Sequence, residues 1–335
     1  MAILYVTEER ACLKVKHQQF QVYREGVLEI SVPVNQVSHV VLFGSGALSH
    51  GAVNLALRRQ IPVMFLSGRG RYFGRLQGET AEIDYLIRQV HRSRDQEFTL
   101  RQAKSIVEAK RHNSQILLRR LNRRRRNESV IEAIATLGDW REKIQTAPSV
   151  ESLLGCEGQC ARVYFEALGR LIQPPFAFDK RTRRPPADPV NSLLSLGYTL
   201  VSQNIYSLVG SLGLHPHFGH LHTPRDNHPA LVSDLVEEFR APLVDSLVVS
   251  LINGRIFQVD DFTPPDARGG VYLTSKALKI FLKHWQQKLQ SEITHPYTKT
   301  KVTYYRCFEL QIGEYIACLL GEREVYRPLQ SPNKW

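Results

Sequence analysis

Residues 219–240 hold the densest chemistry of the chain: GHLH, a short polar loop over 223–230, then LVSDLVEEFR. The last part spaces Leu231, Val232, Leu235, Val236 and Phe239 as a helix would, with Asp234, Glu237 and Glu238 among them. Residues three and four apart lie on one side of a helix, so the spacing predicts Asp234 beside Glu237 and Glu238. Carboxylates held close together repel unless a proton or cation stands between them. Hard divalent cations take oxygen ligands, and a histidine nitrogen can join the set. The competing reading is a solvated acidic helix face, the ordinary place for Asp and Glu.

A fourth carboxylate stands on the most regular helical pattern, residues 149–172. Ser149 is a natural N-cap, and Leu153, Leu154, Cys160, Ala161, Tyr164, Leu168 and Leu171 form its apolar stripe. Glu157 falls on that stripe, three after Leu154 and seven before Tyr164. A carboxylate turned to a core is costly unless paired. Two partners stand open: a buried Arg or tyrosine, or a metal.

The elements that must carry these groups divide by composition. Residues 1–80 alternate apolar and polar residues with strand periodicity, as in Leu13/Val15 and Leu28/Ile30/Val32. Residues 40–43 and 61–66 are continuous apolar strands, with Ser49 placed to cap a short helix through Leu57 between them. The SGRGR turn at 67–71 lacks the GxxxxGK[ST] pattern of a phosphate loop and reads as a hairpin. Helical spacing rules from residue 81 to 325, with an ordered basic loop at 180–188 enforced by Pro185 and Pro186. The sequence predicts an α+β chain: a sandwich-like β domain at 1–80, a larger all-helical domain at 81–325, and a loose tail at 326–335.

Among 335 residues, 44 Lys and Arg face 32 Asp and Glu, a formal charge of +12 that favours a polyanionic partner. Arginine dominates, which suits bidentate phosphate contacts. Three basic tracks stand out: RRLNRRRR at 119–126 (Arg119, Arg120, Arg123, Arg124), the loop with Arg181, Arg183 and Arg184, and a helix face with Lys276, Lys279, Lys283 and Lys288. No run of eighteen apolar residues predicts a membrane span. The opening ILYV is strand-like rather than a signal peptide, which predicts a cytoplasmic protein. Cys156 and Cys160 have no matching second pair, which argues against a zinc site.

Taken in order, several segments resemble one family: VLFGSGALS (41–49), IPVMFLS (61–67), IVEAKRHNSQILLRR (106–120) and LLGCEGQCARVYFEAL (153–168). RRPPADPVNSLLSLGYTL (183–200), GHLH (219–222), DLVEEFRAPLVD (234–245) and VYLTSKALKIFL (271–282) continue the series. The chain resembles the CRISPR-associated spacer-acquisition endonuclease and integrase, the first-numbered, near-universal Cas protein. The resemblance implies a homodimer joined through its β domains, with two such dimers bridged by a dimer of the small second-numbered Cas partner. It also implies a divalent metal, Mg or Mn, held by Glu157, His222 and Glu237, with Asp234 as a supporting carboxylate or alternative ligand. His220 stands where relatives carry an apolar residue. The implied reaction is attack of the 3′-hydroxyl of a foreign double-stranded DNA fragment on a phosphodiester of the CRISPR repeat. The alternatives are a non-catalytic DNA-binding scaffold and a nuclease directed at RNA.

Overall fold

The strand periodicity of the first third becomes eight strands and one helix in the computed structural model, which describes residues 2–78 and 82–332. In chain order these are β1 (Ala2–Val6), β2 (Cys12–Lys16), β3 (Gln19–Arg24), β4 (Val27–Pro33), β5 (Val37–Phe43) and β6 (Ala47–Leu48). Then come α1 (His50–Arg58), β7 (Val63–Leu66) and β8 (Tyr72–Leu76). Two four-stranded sheets result, ordered β1-β5-β7-β8 and β4-β3-β2-β6. In the first, β1, β5 and β7 are parallel and β8 returns antiparallel across the SGRGR hairpin. Ser49 caps α1 by accepting from the Ala52 amide at 3.2 Å, as its place before the helix predicts.

Parallel strands are normally covered on both faces, and the continuous apolar runs of β5 and β7 are. Val40, Leu42 and Val63 face the second sheet, in a core with Leu13, Phe20 and Val22. Ile3, Val41, Phe43, Met64 and Leu66 face the other way and join the core of the helices. Arg75 of β8 adds polar contacts across this second junction, donating to Gln203 at 2.6 Å and Ser207 at 3.1 Å.

The helices are α2 (Ile83–Arg94), α3 (Gln96–Asn122), α4 (Glu128–Thr146), α5 (Val150–Gly169) and α6 (Pro189–Ser211). After the GHLH loop follow α7 (Ala230–Val236), α8 (Ser246–Asn253), α9 (Ser275–Gln290) and α10 (Tyr304–Leu320). Side-chain caps at Asp95, Asn127, Ser149, Asp188, Thr274 and Thr303 start α3, α4, α5, α6, α9 and α10. α3 is about 40 Å long at 1.5 Å per residue and packs against α4, α5 and the chain at 237–245.

Three expectations need correction. The region 81–325 is not all-helical: β10 (Lys301–Thr303) pairs with β9 (Glu292–Thr294). The helix expected over 231–239 changes pitch: a 3-10 turn at Glu237–Phe239 leads into a π-helical turn at Arg240–Asp245. Pro242 has no amide hydrogen to donate into a regular ladder, and such wide turns gather at functional sites. Finally, the tail is docked rather than loose. Gly321, at φ +83°, ends α10, and Tyr326 and Leu329 are then buried. Residues 333–335 lie outside the described residues.

Candidate metal and phosphate centre

The acidic trio does not form a solvated face: the side chains of Asp234, Glu237 and Glu238 are all buried. Nor do the three share one task. The change from α7 into the 3-10 turn separates them, and each carboxylate serves a different neighbour.

Asp234 holds the GHLH loop. Its Oδ2 accepts from the amides of His220 (2.5 Å) and Leu221 (3.0 Å), and its Oδ1 accepts from the amide of His222 at 3.0 Å. Oδ1 also accepts from His222 Nδ1 at 2.7 Å. These four bonds engage both carboxylate oxygens with the GHLH loop. Gly219 makes the approach possible: a Cβ there would lie 2.6 Å from the Ala230 carbonyl carbon and 2.8 Å from Asp234 Oδ2. With Nδ1–H committed to a carboxylate, His222 keeps Nε2 as its acceptor, the arrangement typical of a metal-bound histidine. Burial works against protonation of His222, but the hydrogen bond and charge of Asp234 outweigh it and raise its pKa above the ordinary value.

His220, by contrast, is a core residue. It is buried, its ring meets Phe98 edge-on, and its Nε2 lies 3.2 Å from the Tyr315 hydroxyl. Burial lowers its pKa to about 4. The two histidines thus differ in which ring faces out of the core: the His222 side chain is 30% exposed.

Glu157 and Glu237 come together around one ammonium. Lys110 Nζ of α3 donates to Glu157 Oε1 and lies 2.6 Å from Glu237 Oε2. Burial disfavours the ammonium, yet the two carboxylates hold its pKa above the usual value. Arg240 Nε lies 2.9 Å from the same Glu237 oxygen. Burial alone would raise the pKa of Glu237; Arg240 and Lys110 overcome it and bring it down to about 2. Of the two partners left open for Glu157, the buried Arg or tyrosine is replaced by a lysine, and the side chain is half-buried at 24% exposure.

His222 lies close enough to Glu237 and Lys110 to feel both charges. Among the described residues, however, no three His, Cys, Asp or Glu side chains converge closely enough to hold a metal ion as placed. The donor chemistry fits a hard divalent cation nonetheless. Glu237 Oε2 is buried and faces two cations at ion-pair distance, yet accepts a well-aligned hydrogen bond from neither. Two carboxylates and an imidazole suit Mg or Mn better than a closed zinc site.

A pocket of about 40 Å³ adjoins Glu157, room for waters rather than a base. Its wall includes Lys110, Arg181, Arg183 and Arg240. Arg240 and Arg181 stack over the Tyr198 ring at 4.5 and 5.3 Å. Beneath them Tyr198 and Tyr164 donate to Asp245 at 2.5 and 2.7 Å. Burial raises the pKa of Asp245 to about 6. Arg181, read as a phosphate contact, is spent inside the fold: it donates to Asn191 at 2.8 Å and Ser195 at 2.9 Å. Arg183 and Arg184 are exposed beside it.

The other basic tracks are exposed at Arg119, Arg120, Arg123, Arg124, Lys276, Lys279 and Lys283. Lys279 pairs with Glu8. Lys288 departs from its expected face. It is half-buried against the Tyr304 ring, and burial lowers its pKa to about 8.

Spacing alone does not single out Lys110 or Arg240 as parts of the site. The signal for Lys110 was present: it falls four after Ile106 and seven before Leu117, on an apolar stripe. For Arg240 the signal was its place three after Glu237.

Residues 4–287 match the family described as CRISPR associated protein Cas1. The chain is 31% identical over 334 residues to CRISPR-associated endonuclease Cas1 3 of Thermus thermophilus, covering 98% of this chain and 97% of the relative. It is 33% identical over 332 residues to a Cas4/Cas1 exonuclease–endonuclease fusion of Geobacter sulfurreducens. That alignment takes in 96% of this chain and only 59% of the fusion. Among solved structures, a casposase bound to integration product superposes with a TM-score of 0.87 at 20% identity, over 100% of this chain and 96% of that one. No helix among the described residues is long and apolar enough to cross a membrane.

Proposed function

The chain belongs to the CRISPR-associated protein Cas1 family, and from that premise we propose a divalent-metal-dependent DNA endonuclease and integrase of CRISPR adaptation. The observation that carries this reading is the pairing of Glu157 and Glu237, from distant parts of the chain, around one small positive charge beside His222. Glu157, His222 and Glu237 are the proposed metal ligands, with Mg or Mn as the ion. When bound, the metal would polarise the phosphoryl oxygen and stabilise charge on the entering and leaving oxygens.

The chain's own groups do the rest. Asp234 fixes the tautomer and direction of His222. Lys110 and Arg240 set positive charge where a phosphodiester gathers negative charge. Arg183 and Arg184, the exposed arginines after α3 and the lysine face of α9 carry the backbone of double-stranded DNA away from the site. Such contacts position DNA without reading its sequence. A 3′-hydroxyl of a short foreign fragment is the nucleophile in integration, and water in cleavage.

The assembly we propose is a homodimer, two of which a dimer of Cas2 bridges, in the cytoplasm. Support for the homodimer comes from the edge strand β4, which exposes Val27 (66%), Leu28 (45%) and Ile30 (44%). Exposed apolar edges invite pairing.

The test is strand transfer. Protein, Cas2, a short duplex with free 3′ ends and a supercoiled plasmid bearing the repeat are incubated with Mg, Mn or EDTA. Metal-dependent joining that disappears in Glu157→Ala is the expected result. Joining that survives in that variant removes Glu157 from the site, and salt-sensitive binding without joining in any metal returns the chain to a scaffold role. A matched RNA duplex that competes as well as DNA would redirect the substrate.

A further inference from the structure

Glu238 is a buried carboxylate for which the proposed reaction has no use, yet it is bonded from several sides. Its Oε1 accepts from the Tyr326 hydroxyl at 2.5 Å. Its Oε2 accepts from Gln311 Nε2 at 2.9 Å and from the Leu329 amide. Its backbone carbonyl accepts from Asn113 Nδ2 at 2.8 Å. Asn113 also binds the tail twice, donating to the Leu329 carbonyl and accepting from the Ser331 amide, both at 2.8 Å. Gln102 accepts from the Tyr326 amide at 2.6 Å, and Ser105 donates to the Tyr326 carbonyl at 2.5 Å. The segment 326–331 is thus strapped along α3 and tied to residue 238.

Glu237 and Glu238 are consecutive on one 3-10 turn, so their Cα atoms are about 3.8 Å apart and cannot move independently. Glu238 reaches the tail while Glu237 reaches Lys110 and Arg240. α3 braces both, with Lys110 and Asn113 three residues, about one turn, apart. A 3-10 turn running into a π turn lacks the regular α-helical ladder, and here Asn113 holds the Glu238 carbonyl while the tail holds its side chain.

We propose that the C-terminal segment 326–331, acting through Asn113 and Glu238, is the positioning element that holds Glu237 toward the metal, an inference resting on Glu237 as a ligand. A tail that served stability alone would, when loosened, lower the melting temperature and leave the metal affinity of the folded protein unchanged. A positioning tail weakens metal binding in a chain that is still folded.

The test uses full-length Tyr326→Phe and Asn113→Ala, measured below their melting temperatures, with Mn2+ binding followed by electron paramagnetic resonance. Groups that orient metal ligands typically set affinity by about 10- to 100-fold. The Kd for Mn2+ is expected to rise by that much in Asn113→Ala and by less in Tyr326→Phe, which loses one hydroxyl and little else. At limiting Mn2+, kcat for DNA cleavage falls while KM for DNA holds, and excess Mn2+ restores kcat. A chain ending at Val325 regains affinity when a peptide of residues 326–335 is added. Folded variants that bind Mn2+ like the unsubstituted protein overturn the inference. An unsubstituted protein that binds no Mn2+ instead removes Glu237 as a ligand, and amide exchange at 237–240 then decides: exchange unchanged in both variants refutes the strap.

Discussion

Replacing Asp234 by Asn tests the loop that carries His222. The carboxylate accepts from three amides and one ring nitrogen, with two of these donors on each oxygen. An amide has a single acceptor oxygen, so either orientation of Asn turns an NH2 toward two N–H donors. A buried donor left without a partner costs about 1–3 kcal/mol, so two cost roughly 2–6 kcal/mol. The penalty falls first on local opening of residues 220–222, and the lower figure alone corresponds to about thirty-fold faster amide exchange at about 1.4 kcal/mol per decade. Hydrogen exchange with mass spectrometry on the peptide spanning 215–225 reads this directly, alongside thermal unfolding. Near-unchanged protection of 220–222 in a folded Asp234→Asn protein would mean that Gly219 and the packing of Leu221 hold the loop, and the assignment of Asp234 would be wrong.

Three further outcomes are expected. Lys110→Met leaves Glu237 with Arg240 alone, and breaking a buried pair costs about 3–5 kcal/mol; the retained arginine places the expected destabilisation near about 3 kcal/mol in urea unfolding, and a value under about 1 kcal/mol would mean the pairs are not formed. His39 is buried on β5, and burial, with Arg75 nearby, lowers its pKa to about 3. Its stabilising contribution is therefore complete above the ordinary value of 6.5 and fades as pH falls from there toward 3. His39→Leu should remove about 2 kcal/mol of the destabilisation between pH 7 and 5, seen as melting curves that converge on acidification; parallel curves would contradict it. Replacing Arg123 and Arg124 by Ala should weaken binding to all duplex sequences alike. The slope of log K against log salt should flatten by about 0.9 for each phosphate no longer neutralised, whereas a change in sequence preference would place these residues against bases.

The sequence carried the β-then-helical order, the caps at Ser49 and Ser149 and a Glu157 that needs a charged partner, because each rests on local periodicity or on one residue out of keeping with its stripe. The pairing of Glu157 with Glu237 was not legible in the spacing of the residues; only the family resemblance implied it. Nothing in a spacing says which distant helix delivers a cation, and Lys110 looked like one basic residue among many. The acidic trio misled because an unbroken helix would align Asp234 with Glu237 and Glu238; the pitch changes at Glu237, and each carboxylate meets partners from a distant part of the chain. The tail itself looked loose because its anchors, Tyr326 and Leu329, are two apolar side chains in a short polar stretch. Their partners, Gln102, Asn113, Glu238 and Gln311, lie up to 224 positions away in sequence.

The sheet β1-β5-β7-β8 is a party wall, covered by a second sheet on one side and by helices on the other. A fragment ending at residue 78 would strip the helical side and wet Ile3, Val41, Phe43, Met64 and Leu66 together. At about 1.5–3 kcal/mol per buried side chain, those five residues represent roughly 8–15 kcal/mol of newly exposed apolar surface. Such a fragment would self-associate through the wrong face whatever β4 does. Oligomers of the excised β domain would therefore say nothing about how intact chains pair, and only the whole protein can report on the β4 edge.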